Sequence, residues 1–126
     1  MNMMNTLAHE AYARPDAPGR NARAVEYDLF ARITRRLSIA WSQRKQNHAA
    51  LVSALHDNGA LWRTLAVDVS DAGNGLPAPL RAQLFYLYEF TAIHSKKVLD
   101  GEASAEALVD INTSVMRGLR GTGGAV

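Results

Sequence analysis

The groups in this chain that could carry chemistry are four histidines, His9, His48, His56 and His94, and two aspartates, Asp68 and Asp71. His48 and His56 stand eight residues apart on what reads as one helix, whereas a helical chelate needs imidazoles one turn apart on one face. Asp68 and Asp71 share a face at i, i+3. Paired carboxylates do acid–base work beside a histidine, lysine or aromatic pocket, and the sequence places none next to them. Gly73-Asn74-Gly75 has glycines like those of a phosphate loop but lacks the preceding strand such loops require. His94 lies at the edge of an apolar stripe and reads as a hydrogen-bonded core histidine. The chain has no cysteine, so thiolate metal sites, thiol nucleophiles and disulfides are excluded. The residues predict no enzyme, no metal and no cofactor.

The elements that would have to position any site are helical. At 126 residues, 48% hydrophobic and 21% charged, the chain fits one domain spanning 1–126, with an N-terminal arm over about 1–20 and a flexible tail over 120–126. The expected fold is all-α, a bundle of four main helices with a short helix before them at 5–13. Val25, Leu29, Phe30, Ile33, Leu37, Ala40 and Trp41 share one face of a helix over about 22–44, with Arg32 and Arg35 on the opposite face and Ile39 left on the polar side. Asp28 stands four residues before Arg32, a spacing that predicts an ion pair. A second helix over about 47–72 carries Leu51, Leu55, Trp62, Leu65, Ala66 and Val69. Asn58 interrupts its stripe, and Gly59 costs about 1 kcal/mol there relative to alanine without dividing the helix.

The stretch GNGLPAPLR at 73–81 predicts a corner. Gly73 is placed to end one helix in the left-handed conformation, Pro77 to begin the next, and Leu76 to fold against Leu80 as a hydrophobic staple. The third helix, about 77–99, is apolar on two sides: Leu80, Leu84, Leu87, Thr91 and Val98 on one, Ala82, Tyr86, Phe90 and Ile93 on the other. Such a helix is either central in its bundle or covered by a partner. Ser104 is placed to cap a last helix carrying Leu108, Ile111, Val115, Met116 and Leu119, interrupted by Asn112. Asn58 and Asn112 must find hydrogen bonds, through nearby backbone or by fixing helix register, because a buried amide without partners costs about 1–3 kcal/mol.

Charge is uneven. Residues 14–45 hold eight Lys or Arg against three acids, and the other 94 residues hold six against nine. A basic first helix could meet nucleic acid, but the chain has no RNA-binding aromatic motif and no zinc-finger spacing, so a solvated helix face is the favoured reading. No run is long and apolar enough for a signal peptide or membrane span, and the expected location is the cytoplasm.

NGALW at 58–62, Asp68, NGLPAPLR at 74–81 and INTSVMRGL at 111–119 resemble, in order and spacing, the pattern of the flagellar biosynthesis regulator FlaF family. AYAR at 11–14 and EYDLF at 26–30 are similar to that family's opening. The resemblance spans roughly residues 8–119. Its pattern falls on Asn58, Leu61, Trp62, Asp68, Asn74, Leu76, Pro77, Leu80, Arg81, Ile111, Asn112, Met116, Gly118 and Leu119, most of them positions of structural kind. Gly59 and Ala60 depart from it, standing where larger polar residues are expected. The resemblance implies a helical protein that acts with flagellin. It would do so as a secretion chaperone or as a regulator that permits flagellin synthesis, in opposition to the regulator FlbT. Flagellin's amphipathic terminal helices need apolar surface, which makes Tyr86, Phe90 and Ile93 the expected partner strip, with Arg32, Arg35 and Ile39 as the other candidate face. The rival expectation is a regulator that binds flagellin messenger RNA through the basic first helix.

Overall fold

The computed structural model describes residues 18–124, with side chains over 27–118. The described chain is four helices: α1 (Pro18–Ser42), α2 (His48–Ser70), α3 (Ala78–Leu99) and α4 (Glu106–Gly124). The expected helix at 5–13 lies outside the described residues. α1 begins inside the expected arm, and α4 runs through glycines 121, 123 and 124, into the stretch expected as tail. No described helix is long and apolar enough to cross a membrane.

Short connections make neighbours antiparallel. α1 packs against both α2 and α4, α2 packs against α3, and α3 and α4 touch each other least. The result is an open ring. Its core divides into two apolar clusters. Leu37, Ala40, Leu51, Leu55, Val98, Ala105 and Leu108 fill the end near the 43–47 and 100–105 turns. Leu29, Phe30, Ile33, Leu61 and Trp62 fill the other end, flanked by Leu65, Leu84, Leu87, Tyr88, Ile111, Val115 and Met116. Phe30 meets Trp62 edge to face, with ring centroids 5.9 Å apart.

Three helix ends have identifiable caps. The Asn47 side chain accepts from the Ala50 amide at 3.1 Å and caps α2. Gly101, at φ 77°, ends α3: its amide bonds to the Val98 carbonyl while the Glu102 amide reaches Lys97, the paired bonds of a Schellman motif. Ser104 caps α4, its hydroxyl accepting from the Glu106 amide at 2.9 Å.

The corner forms where expected but by other means. Neither Gly73 nor Gly75 takes positive φ. A Cβ on Gly73 would meet only the Asp71 carboxylate, at 3.6 Å, an ordinary contact. Side chains close the turn instead. Asn74 Nδ2 donates to the Asp68 carbonyl at 3.0 Å while its Oδ1 accepts from the Leu76 amide at 2.9 Å, and Asp71 accepts from the Gly73 amide. Arg81 donates to the Leu76 carbonyl at 3.1 Å and, more weakly, to Val69 at 3.5 Å. Pro77 is the N-cap of α3 and not its first residue. Leu76 and Leu80 are both exposed, so Leu76 is not a core anchor.

Candidate functional site

The asparagines lie where the two clusters meet. Asn112 of α4 is fully buried; its Oδ1 accepts from the Trp62 indole at 2.9 Å, and its Nδ2 donates to Asn58 Oδ1 at 2.7 Å and to Thr34 Oγ1 at 3.1 Å. One amide thereby joins α1, α2 and α4. The bonds run side chain to side chain, so the backbone pairing considered for Asn58 and Asn112 does not occur and the register role remains. Thr34 was not singled out in the sequence. The available signal was a hydroxyl set between Ile33 and Leu37 on an apolar stripe.

Arg32, Arg35 and Ile39 are exposed on α1. The pair expected between Asp28 and Arg32 is not among the ion pairs of the described residues. Arg36 instead pairs with Asp57 and donates to Ser53 at 2.9 Å, fastening α1 to α2. Arg44 lies 4.0 Å from the Trp41 ring centre and donates to the Trp41 carbonyl. Two cations of the basic segment, Arg36 of α1 and Arg44 just after it, are thus engaged within the fold.

The third helix departs from the first of the two expectations built on its apolar sides. It is not central: only Thr91 and Val98 are fully buried. Tyr86 is 64% exposed, Ile93 62% and Phe90 38%, and the three lie within about 60° on the helix. Of the ten large apolar side chains most exposed among the described residues, seven fall between 76 and 99, including Phe85 and Leu99, which the sequence reading did not place on the strip. The Phe90 ring stacks on His94, centroids 5.3 Å apart, and His94 Nε2–H donates to the Ser104 carbonyl at 2.8 Å. His94 is therefore half-buried and hydrogen-bonded.

Among the described residues no three of His, Asp and Glu are placed to hold a metal ion. A wide cavity of about 470 Å³ between the 43–47 and 100–105 turns is bordered by Trp41, Arg44, His48, Leu51, Glu102 and Ser104, without a nucleophile–base pair. Burial, and then the nearby Asp71 charge, holds the Asp68 carboxyl above the usual carboxylate range. Its backbone carbonyl meanwhile takes the Asn74 bond, which gives Asp68 a place in the corner.

The described residues thus combine a polar layer through three helices, a side-chain-knit corner and an apolar outer helix. The family model for flagellar protein FlaF matches residues 8–119. The chain belongs to the FlaF family. No curated protein and no solved structure gave a match. The match covers α1, α2, α3, the corner and most of α4, and so spans Asn58, Trp62, Asn74, Arg81 and Asn112, whose hydrogen bonds tie the architecture together. Ile111 and Met116 flank the second cluster, Gly118 is exposed, and Leu119 lies beyond the described side chains. This is a flagellum-related protein.

Proposed function

We propose that this FlaF protein holds flagellin before export, with an amphipathic terminal helix of flagellin laid along the outer face of α3. The observation that carries the reading is the concentration of exposed apolar side chains on one helix, Tyr86, Phe90 and Ile93 above all. Large contiguous apolar patches on a folded surface mark interaction sites, and an apolar helix stripe is the complement an unassembled helical terminus needs. A role in permitting flagellin synthesis, with FlbT acting against it, follows from such holding if the free and held subunit are sensed differently.

A titration of purified flagellin against the parent and Phe90→Ser tests it. The variant should keep its helical circular dichroism and bind about thirtyfold more weakly, the loss of roughly 2 kcal/mol expected for a buried aromatic anchor. Parent-like affinity in the folded variant would overturn the α3 reading. Binding of flagellin messenger RNA that falls steeply with salt and depends on Arg32 and Arg35 would favour the messenger-binding regulator instead.

A further inference from the structure

The outward strip of α3 is charged at two points. Tyr86, Phe90, Ile93 and Lys97 follow one another at intervals of four, three and four residues, the spacing of a seam between two paired helices. At about 100° per residue Lys97 points between Ile93 and Phe90, so it continues the midline of the strip where the apolar side chains end. Glu89 lies about 40° to the side of Ile93 and about 12 Å along the axis from Lys97. Both are exposed, and neither takes part in an ion pair of the described residues. Lys96 is held by Asp100 at 3.1 Å. Glu102, in the turn beyond, meets Lys97 through the backbone, its amide donating to the Lys97 carbonyl at 2.8 Å, and forms no ion pair with the ammonium.

A partner helix has its own preferred order of charge. The first turn of a helix favours acids and the last turn favours bases, because the aligned peptide dipoles leave the first end positive and the last negative. Along α3 the order is the same, Glu89 before Lys97. A helix laid parallel to α3 would set its acids beside Glu89 and its bases beside Lys97. Laid antiparallel, it sets an acidic first turn on Lys97 and a later base on Glu89, and the two helix dipoles oppose.

We propose that the α3 strip takes an amphipathic helix antiparallel to itself. The first turn of that helix carries an acid for Lys97, its next three turns set apolar side chains in succession on Ile93, Phe90 and Tyr86, and a base reaches Glu89. Lys97 and Glu89 are then specificity residues: they fix direction and register, while the apolar strip supplies most of the affinity. The proposal rests on α3 as the client face and adds to it the direction and charge of the client helix.

Two synthetic peptides, stapled into helices so that their own helicity is equal, test it on the full chain. Both repeat leucine at the four-and-three spacing. The first has glutamate in its opening turn and lysine eight residues later, matching the separation of Glu89 and Lys97, and the second has the two exchanged. The first should bind about tenfold more tightly by fluorescence anisotropy at low salt, and the difference should shrink at high salt as exposed pairs are screened. A nitroxide at its N-terminus should broaden amide signals near Lys97 and spare those near Ala82. In the variant combining Glu89→Lys with Lys97→Glu, both at exposed positions, the preference should reverse. Equal affinity for the two peptides, an unreversed preference in the exchanged variant, or broadening at Ala82 would each overturn the proposed direction. If Phe90→Ser still weakens flagellin binding, the strip itself would stand. Binding of neither peptide would also overturn the proposal, and parent-like flagellin affinity in Phe90→Ser would then take the strip reading with it.

Discussion

α1 and α3 are helices of similar length with opposite relations between composition and burial. α3 has the more apolar sequence, yet α1 buries Leu29, Phe30, Ile33, Leu37 and Ala40 while α3 fully buries only Thr91 and Val98. The difference follows from position in the ring. α1 touches two neighbours closely, and its one apolar stripe is covered from both sides; α3 lies closely on α2 alone, so its second stripe faces outward. An amphipathic pattern states which side of a helix needs cover. It does not state how many neighbours will supply it.

The contrast is tested most severely by paired aromatics. Phe30→Ala should cost about 4 kcal/mol of folding stability by urea unfolding, because a buried ring is lost from a cluster that cannot readily refill. Phe90→Ser, on a ring 38% exposed, should cost about 1 kcal/mol or less. Equal losses would mean that α3 is as deeply packed as α1, and the contrast would collapse.

Next in size is the polar layer that joins α1 to its neighbours and omits α3. Asn112→Leu keeps approximate volume but strands the Trp62 indole, the Asn58 carbonyl oxygen and the Thr34 hydroxyl together, and should cost about 3 kcal/mol. Thr91→Val, at the buried hydroxyl of α3, should be neutral or slightly stabilising because that hydroxyl gives the fold no bond. A destabilising Thr91→Val with a silent Asn112→Leu would reverse the assignment.

A smaller effect separates side chains from glycines in the corner that starts α3. Asn74→Ala removes two bonds, to the Asp68 carbonyl and from the Leu76 amide, and should lower stability by about 1 kcal/mol. Gly73→Val should change it by about 0.5 kcal/mol or less, since the position needs no positive φ and has room for a Cβ. The opposite order in thermal melts would restore glycine as the source of the turn.

The smallest effect is electrostatic. Burial and the Asp71 charge raise the Asp68 pKa, so the folded chain binds that proton more tightly than the unfolded chain. Stability is therefore lost as pH rises above about 4, where the unfolded carboxyl has already ionised, and the loss is complete above the folded pKa. Asp68→Asn should raise the melting temperature slightly at pH 7 and leave it unchanged near about pH 3. An equal rise at both pH values would assign the effect to something other than charge.

Local chemistry was enough to read the helices, the Ser104 cap and the corner's location. Periodicity, proline and glycine act over a few residues, so Leu29, Phe30, Ile33 and Leu37 could be assigned to one buried face before any neighbour was known. The same information marked Asn58 and Asn112 as amides that had to be satisfied. Their partners stand 54 positions apart, and the third, Thr34, 78 from Asn112, separations at which no local pattern carries information. Tertiary packing alone decided those bonds. It also decided that Asn74 and Arg81 rather than Gly73 close the corner, because their acceptors belong to the end of the preceding helix. Two apolar stripes on α3 were legible in the residues. Which of them met the core depended on where the other three helices came to rest.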